Sequence, residues 1–328
     1  MPTLPKIPTL PPDAPYGKGD VLVVFGELFA RGYANGIVDE AERHGLTVVR
    51  STVGRRDADG NLRALTPEEA SLHRAPFINI PLEAGFDLEP AGPGGPKPVD
   101  AFDGVKLSEW KSAKTNWSVI EKSRELGRRR FRDTVKRYVA ELKAHIPKGK
   151  NVIFCNTMAG GVPRTKVIMP VMNRVFKGTG DRYVPSESLF RSDLGKFALT
   201  NFDEVTAETF RVLIEETADL RKDIETSGGS ARYLAYGYHG TEVLVGDHFR
   251  WQTYTPYFQG WAKMRLEDVA KEFHQKGIKA TVHNCPEILT NSSSIFIGVE
   301  LSLYPLLGAL LKLDAGKNGR GTAIVKEC

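Results

Sequence analysis

The chain has 328 residues, of which 41% are hydrophobic, and its formal net charge is +5 at pH 7. This composition supplies a large core, and a charge this modest, with no known nucleic-acid-binding module beside the basic residues, argues against a nucleic-acid partner. The three cysteines, Cys155, Cys285 and Cys328, lie far apart with no CxxC pair. We therefore expect no disulfide framework and no metal site, and we place the protein in the reducing cytoplasm.

Neither end of the sequence shows a targeting or membrane signal. Residues 1–19 are rich in proline and lack the continuous apolar core of a signal peptide, so they predict an extended arm on the surface. The most apolar stretch, residues 295–313, contains Glu300 and Pro305. It is better explained as a buried segment with a helix than as a membrane span, so we expect no membrane partner.

The first predicted unit is a strand, a turn, a helix and a second strand. DVLVVFG predicts a strand that ends at Gly26, a helical spacing follows, and LTVVRST predicts the next strand. Gly26, Gly32 and Gly36 fall in the turn and at the helix start, where glycine allows a pyrophosphate to approach backbone N–H groups. The spacing differs from G-x-G-x-x-G, so dinucleotide binding and a purely structural role both stay open here.

The end of the second strand bears on the choice of coenzyme. An acidic residue at this place favours NAD, whereas an arginine accommodates the 2′-phosphate of NADP. In this chain the strand ends near Thr52, and Arg55 and Arg56 are the nearest charges that follow it. These residues alone favour NADPH.

PFINIPL predicts a third strand, and residues 83–106, rich in glycine and proline, predict a surface insertion. Helical patterning then runs from Leu107 to His145. This helix carries a basic cluster: Arg128, Arg129, Arg130, Arg132, Lys136 and Arg137. We interpret the cluster as a solvated face, or else as a docking surface for an acidic partner or a phosphate-bearing cofactor tail.

The remaining segments continue the alternation of strands and helices. A small-residue loop, 156–161, follows the fourth strand and belongs at the carboxyl edge of the sheet, where ligands bind. A long loop separates the fifth strand from a helix that carries Lys263. The predicted strands are 151–155, 233–238 and 277–284, and the other predicted helices are 165–176 and 202–226. The pattern predicts one α/β domain over residues 1–328, with a doubly wound parallel sheet.

Tyr254 precedes Lys263 by nine positions, between the fifth strand and the helix. A phenol beside an ammonium has a lowered pKa and can donate a proton at neutral pH, as acid catalysis of a redox reaction requires. The spacing alone is weak evidence and by itself favours a loop tyrosine and a surface lysine, so the remaining chain has to decide.

Together these segments resemble the short-chain dehydrogenase/reductase superfamily, and within it the enoyl-acyl-carrier-protein reductases. The three glycines follow the spacing of the FabI type, with Gly32 where serine is usual, and GWAKMRLE resembles the segment around that type's catalytic lysine. The FabI tyrosine position is Pro256 here, whereas the Tyr-x8-Lys of the FabV type and of trans-2-enoyl-CoA reductases fits Tyr254 and Lys263. Four segments are most similar to the FabMG type: VVFGELFARGYANG, NTMAGGVPR, AYGYHGTEVL and PEILTNSSSIF.

The resemblance implies NADH-dependent reduction of the trans-2 double bond of an enoyl-acyl-carrier-protein or enoyl-CoA thioester in type II fatty acid synthesis. It implies that Tyr254 hydrogen-bonds the thioester oxygen, with Tyr238 as a second donor and Lys263 on the nicotinamide ribose. Tyr257 is a rival to Tyr254 or else lines the acyl channel. The implied coenzyme-binding residues are Gly26, Phe29, Ala30, Gly32, Gly36, Thr52, Arg55, Thr157, Met158, Ala159, Gly160, Lys263, Pro286, Ile288 and Thr290.

Two other functions stay open from the sequence. One is a different reductase of the superfamily that uses NADPH on a 3-ketoacyl or other carbonyl group, and the other is a non-catalytic redox sensor that binds a nucleotide. We follow the resemblance and expect NADH, because Arg55 and Arg56 lie beyond the strand end and could point to solvent. By analogy with short-chain relatives we also expect a homo-oligomer.

Overall fold

The computed structural model describes residues 16–29, 32, 34–237, 242–245, 248–251, 258–284, 308 and 312. Within these residues the strands are β1 (Val21–Phe25), β2 (Thr47–Thr52), β3 (Arg55–Arg56), β4 (Leu62–Arg63), β5 (Phe77–Pro81), β6 (Val152–Asn156), β7 (Ala231–Gly237), β8 (Glu242–Val245), β9 (His248–Trp251) and β10 (Ala280–Asn284). The α-helices are α1 (Ala34–Arg43), α2 (Pro67–Ala70), α3 (Trp117–Leu142), α4 (Ile168–Phe176), α5 (Ser186–Arg191), α6 (Asp193–Asp203), α7 (Thr209–Glu216), α8 (Ala218–Thr226) and α9 (Phe258–Gln275).

Six strands form one sheet in the order β10-β7-β6-β1-β2-β5. Every neighbouring pair in this sheet is parallel. The chain passes from β1 outward to β2 and β5 and then returns to β6 on the other side of β1, so the winding direction reverses between β1 and β6. This order confirms the predicted doubly wound α/β fold.

The sheet is covered on both faces. All five residues of β1 are fully buried, and they alternate between two apolar clusters. Val23 and Phe25 belong to the cluster that also contains residues of α3, α7 and α9. Leu22 and Val24 pack with Val38 of α1 on the opposite face. A strand buried on both faces reads as a continuous apolar run, which explains why VLVVF could be recognised from sequence.

Two predicted helices have different limits in the structure. The helix expected from residue 107 begins only at Trp117, because the side chain of Asn116 caps it by accepting a 3.0 Å hydrogen bond from the N–H of Ser118. The single helix expected over residues 202–226 is wrong. The chain there forms the end of α6, a π-helical turn (Glu204–Glu208), α7 and α8.

Two antiparallel pairs were missed. β3 pairs with β4 just after β2, and β8 pairs with β9 inside the segment that was predicted to be a loop. Both pairs consist of strands of two to four residues, which are too short to give a periodic pattern. Within the described residues, no helix has the length and apolar character needed to cross a lipid bilayer.

The segment 83–106 is anchored to the fold by its apolar side chains. Phe86, Val99 and Phe102 are buried in a second core cluster together with residues of α4 and α6. Arg130 of α3 adds polar contacts, since it donates to the carboxylate of Glu89 and to two backbone carbonyls of the segment. The loop that follows β5 is therefore held in a defined place at the carboxyl edge of the sheet.

The basic cluster of α3 is largely matched by acidic side chains of the same chain. Arg128 pairs with Glu204, and Arg132 pairs with Glu215 and Glu216. These intramolecular pairs leave little uncompensated positive charge on α3 for a docking surface.

Asp203, at the end of α6, is half-buried, and its buried Oδ1 has no hydrogen-bond partner among the described residues. Burial raises its pKa from 3.8 to about 6, against the attraction of Arg265, while Glu204 adds to the rise. Between pH 3.8 and about pH 6 the folded protein binds more protons than the unfolded chain. The free energy of unfolding therefore falls as pH rises through this window and stays lower above it.

We therefore expect Asp203→Asn to raise the free energy of unfolding by roughly 2 kcal/mol above about pH 7 and to flatten its fall between about pH 4 and 6. Urea denaturation at several pH values measures this. Asp133→Asn on the exposed face of α3 is the matched control, for which we expect no such change. An Asp203→Asn variant with the pH profile of the parent would contradict the assignment.

Candidate active site

A cleft of about 610 Å³ opens at the carboxyl edge of the sheet, beside the point where the winding reverses. Its walls come from the segments that follow β1, β2, β5 and β6, and from α6 with the π-helical turn. Among the described residues the lining includes Glu27, Phe29, Val53, Arg55, Arg56, Glu83, Asp87, Thr157, Met158, Ala159, Arg164, Asn201 and Val205. The sheet topology therefore assembles the cleft from segments far apart in sequence.

Gly26 forms the turn directly after β1 at the base of this edge. Its φ is +119°, and a Cβ at this position would lie 2.6 Å from Oγ1 of Thr157 and 3.1 Å from Sδ of Met158. No other residue type adopts this conformation in this space without moving the loop after β6. The turn thus lets β1 and the loop after β6 approach closely at the place where a pyrophosphate binds in folds of this kind.

Ser51 braces the same turn from the neighbouring strand. Its hydroxyl accepts a 3.1 Å hydrogen bond from the N–H of Gly26 and lies 2.8 Å and 2.9 Å from the carbonyl oxygens of Val24 and Gly26. The serine is buried. Sequence analysis missed this role, because a serine in a strand has no distinguishing pattern.

The loop after β6 is held from two sides. Its Thr157 donates its N–H to the carbonyl of Phe25 at 2.9 Å. On the other side, Asn201 donates to the carbonyl of Gly161 at 2.8 Å and Thr206 donates to the carbonyl of Gly160 at 3.0 Å. Positions five apart on an α-helix point about 140° away from each other, and the π-helical turn between them brings both side chains toward the loop.

Asn201 also joins two loops of the cleft, because its Oδ1 accepts a 3.1 Å hydrogen bond from the N–H of Phe86. We expect Asn201→Ala to cost about 1–3 kcal/mol of stability and to weaken coenzyme binding, since it leaves two backbone groups without a partner. Hydrogen exchange should become faster in residues 157–161. Thr200→Ala is the control, since Thr200 is one position away and bonds only within its helix. Unchanged exchange in the loop would contradict this role.

An acidic residue that the sequence analysis did not single out lies at the end of β2. Glu27 follows Gly26, and its carboxylate accepts hydrogen bonds from Thr52 Oγ1 at 2.6 Å and from Val53 N at 3.2 Å. Arg55 donates to it from both terminal nitrogens, at 2.9 Å and 2.8 Å. Burial alone would raise the pKa of Glu27, but the hydrogen bonds from Arg55, Thr52 and Val53 hold it below its usual value.

The register of the sheet explains why Glu27 reaches β2. Val21 pairs with Thr47 and Val23 with Val49, an offset that places Glu27 level with Val53 just beyond the paired residues. A carboxylate from the first turn therefore takes the place that the second strand's own acidic residue occupies in many NAD-binding folds. The register appears only in the fold, so no local motif in the sequence indicated Glu27.

The wall after β5 contains a chain of ion pairs. Arg56 pairs with Glu83 at 2.7 Å, and Arg164 bridges Glu83 at 2.8 Å and Asp87 at 3.0 Å. Burial raises the pKa of Asp87, and the nearby guanidinium of Arg164 opposes this rise. The pairs connect the loop after β5 with the loop after β6 across the cleft.

Lys263 lies on α9 and is 4% exposed. Its Nζ donates a 2.5 Å hydrogen bond to the carbonyl of Tyr236, next to the end of β7. Phe25 pairs with Asn156, and Asn156 pairs with Ala235, so Gly26, Thr157 and Tyr236 follow one another along the same edge. Adjacent strands are about 4.8 Å apart. The buried ammonium group therefore lies at the level of the glycine turn, two strands away from it.

The predicted site residues divide into three groups. Those that line the cleft are Phe29, Arg55, Thr157, Met158 and Ala159. Those placed at the same edge are Gly26, Gly32, Gly36, Thr52, Gly160 and Lys263, with Thr52 fully buried beneath Glu27. Those outside the described residues are Ala30, Tyr238, Tyr254, Tyr257, Pro286, Ile288 and Thr290. The approach of Tyr254 to Lys263 thus stays a prediction.

Comparisons with known proteins identify a single family. The chain matches the family described as Enoyl-acyl carrier protein reductase FabMG over residues 3–328. It is similar to an apo structure of FabMG, with 55% sequence identity and a TM-score of 0.85, over 90% of this chain and 68% of that chain. It is also similar to an NADH-bound structure of FabMG, with 45% identity and a TM-score of 0.69, over 96% and 74% of the two chains. None of the curated proteins compared with it matches.

Proposed function

This chain belongs to the FabMG family of enoyl-acyl carrier protein reductases, and from that premise we propose that NADH binds in the cleft between β1 and β6. The protein is an NADH-dependent oxidoreductase that reduces the trans-2 double bond of an enoyl thioester carried by acyl carrier protein. Fatty acid biosynthesis is the process that uses this reaction. We extend the proposal to enoyl-CoA thioesters as smaller carriers of the same acyl group.

The described residues fit a dinucleotide at this edge. The turn at Gly26 has no room for a side chain, and it stands where the backbone of a βα unit receives a pyrophosphate. Residues 157–160 border the adjacent strand end, and the carboxylate of Glu27 stands at the end of β2. When bound, NADH supplies a hydride to the β-carbon of the enoyl group.

Lys263 carries the catalytic part of the proposal. Its ammonium is buried at the level of Gly26 and Thr157, and a charge buried in this way has to be paired or hydrogen-bonded. We assign it to the ribose hydroxyls beside the nicotinamide. From the same position it would lower the pKa of a phenol that approaches it.

Tyr254 is our proposed hydrogen-bond donor to the thioester oxygen, where negative charge develops as the β-carbon accepts hydride. Tyr238 and Tyr257 are the other phenols near the site in sequence. Tyr→Phe substitutions at all three positions separate their roles. The donor is the tyrosine whose loss lowers kcat by about 100-fold or more without weakening coenzyme binding.

The test of this function is a panel of purified substrates. We expect NADH to be oxidised with crotonyl thioesters of acyl carrier protein or CoA, and not with acetoacetyl thioesters. Oxidation with the acetoacetyl thioesters alone would instead make the protein a carbonyl reductase. Nucleotide binding without turnover of either substrate would favour a redox sensor.

A further inference from the structure

The end of β2 carries an ion pair between Glu27 and Arg55. Glu27 and Arg55 both line the cleft. The Glu27 side chain is 4% exposed and that of Arg55 is 40% exposed. In folds of this kind the end of the second strand meets the adenosine ribose, where NADPH carries its 2′-phosphate and NADH a hydroxyl group.

The arginine has no free positive charge to offer a phosphate group. Both terminal nitrogens of Arg55 donate to Glu27, and one of them also donates to the carbonyl of Gly54. Arg56 is similarly engaged by Glu83 and by the carbonyl of Gly60. Neither arginine is therefore free to bind the 2′-phosphate of NADPH, which is the role that the sequence alone suggested.

The local charge balance disfavours a 2′-phosphate group. Among the described residues that line the cleft, three acids (Glu27, Glu83 and Asp87) stand against three arginines (Arg55, Arg56 and Arg164). A phosphate monoester carries close to two negative charges at neutral pH and needs uncompensated donors. A hydroxyl group needs only one acceptor, and Oε1 of Glu27, which accepts a hydrogen bond from Arg55, retains a further lone pair.

We propose that Glu27, through its ion pair with Arg55, is the residue that selects NADH over NADPH. The inference rests on the proposed function. It assigns coenzyme selection to the carboxylate of Glu27, in the turn after β1, which neutralises Arg55 at the end of β2. Removing the carboxylate charge frees Arg55 to receive the 2′-phosphate.

The test is coenzyme binding by isothermal titration calorimetry, with NADH and NADPH, and with AMP and adenosine 2′,5′-bisphosphate as fragments without a nicotinamide. For Glu27→Gln we expect the ratio of NADPH to NADH affinity to rise at least about tenfold, because Arg55 gains a charge-assisted partner. The fragment pair should shift in the same direction. The double variant Glu27→Gln/Arg55→Gln should lose this gain, which a general loosening of the site would not predict.

Glu187→Gln is the matched control, because Glu187 pairs with Arg191 on α5 outside the cleft, and we expect it to leave the ratio unchanged. A folded Glu27→Gln variant with an unchanged ratio would overturn the proposal, and so would a double variant that keeps the full gain. If Glu27→Gln fails to fold, Arg55→Gln alone decides, since it leaves the carboxylate unneutralised and should lower the ratio further. An unchanged or higher ratio would then overturn the proposal.

Binding and turnover by the wild-type protein test the proposed function separately from the role of Glu27. A wild-type protein that binds NADH but reduces no enoyl thioester would overturn the reductase assignment, while the binding ratios of the variants would still decide the role of Glu27. A wild-type protein that binds neither nucleotide would overturn both.

Discussion

A Lys263→Met variant should lose about 100-fold or more in kcat while remaining folded, since a positioned charge that lowers the pKa of an acid and orients the coenzyme contributes on this scale. Methionine keeps most of the aliphatic volume that is buried under β7, so the core should close around it. The carbonyl of Tyr236 loses the hydrogen bond from Nζ. The dissociation constant of NADH should rise in parallel, because the proposed contact with the ribose is removed.

Lys271→Met on the same helix is the matched control. Lys271 is exposed, whereas Lys263 is 4% exposed, and the control should keep the activity of the parent. Steady-state kinetics and thermal denaturation of both variants provide the comparison. A stable Lys263→Met enzyme with nearly full kcat would remove Lys263 from the mechanism.

The second large effect is expected at Gly26. An alanine Cβ there would lie 2.6 Å from Oγ1 of Thr157, and the residue would have to keep a φ of +119°. Either the turn after β1 or the loop after β6 has to move, at a cost of about 1–3 kcal/mol for the backbone conformation alone. Because both segments border the proposed pyrophosphate position, NADH affinity should fall by at least about tenfold.

Gly104→Ala separates backbone strain from the loss of space at the site. Gly104 also has a positive φ, +72°, but a Cβ there meets nothing within 4 Å. This control should lose a little stability and bind NADH as the parent does. Fluorescence titration with NADH tests both variants, and normal affinity in Gly26→Ala would show that the coenzyme does not depend on this turn.

The sheet could be predicted because its central strands are buried on both faces. VLVVF and VIFCN give continuous apolar runs, and the helices between them supply the alternation that indicates a doubly wound sheet. The short pairs β3–β4 and β8–β9 have no such pattern. The π-helical turn was missed for a different reason: a stretch that is apolar at helical spacing does not reveal one extra residue in a turn.

The glycine turn and the small-residue loop could be located from the sequence, since both follow a predicted strand directly. Glu27, Asn201 and Arg164 could not, because their roles depend on pairing between segments far apart in the chain. Thr52 shows the same limit. Its contact with the coenzyme stays a prediction, whereas the hydrogen bond from its hydroxyl to Glu27 is one that no local pattern indicated.

The arginines at the end of β2 illustrate how local sequence can mislead about a coenzyme. Arg55 and Arg56 favour NADPH when they are considered alone, and NADH was expected from the family resemblance. In the fold, both guanidinium groups are bound by carboxylates, Glu27 and Glu83, which no short motif connects to them. A phosphate group would interact with the net charge of the assembled site, and not with the charge of the strand end alone.

The most direct test of the central claim follows the hydride itself. Purified protein is given NADH that carries deuterium on the transferable position of the nicotinamide, together with a crotonyl thioester, and the product is analysed by mass spectrometry and NMR. We predict a saturated butyryl thioester with the deuterium on the β-carbon. An unreduced double bond, or a butyryl thioester without deuterium on the β-carbon, would contradict the assignment of this chain as an enoyl reductase.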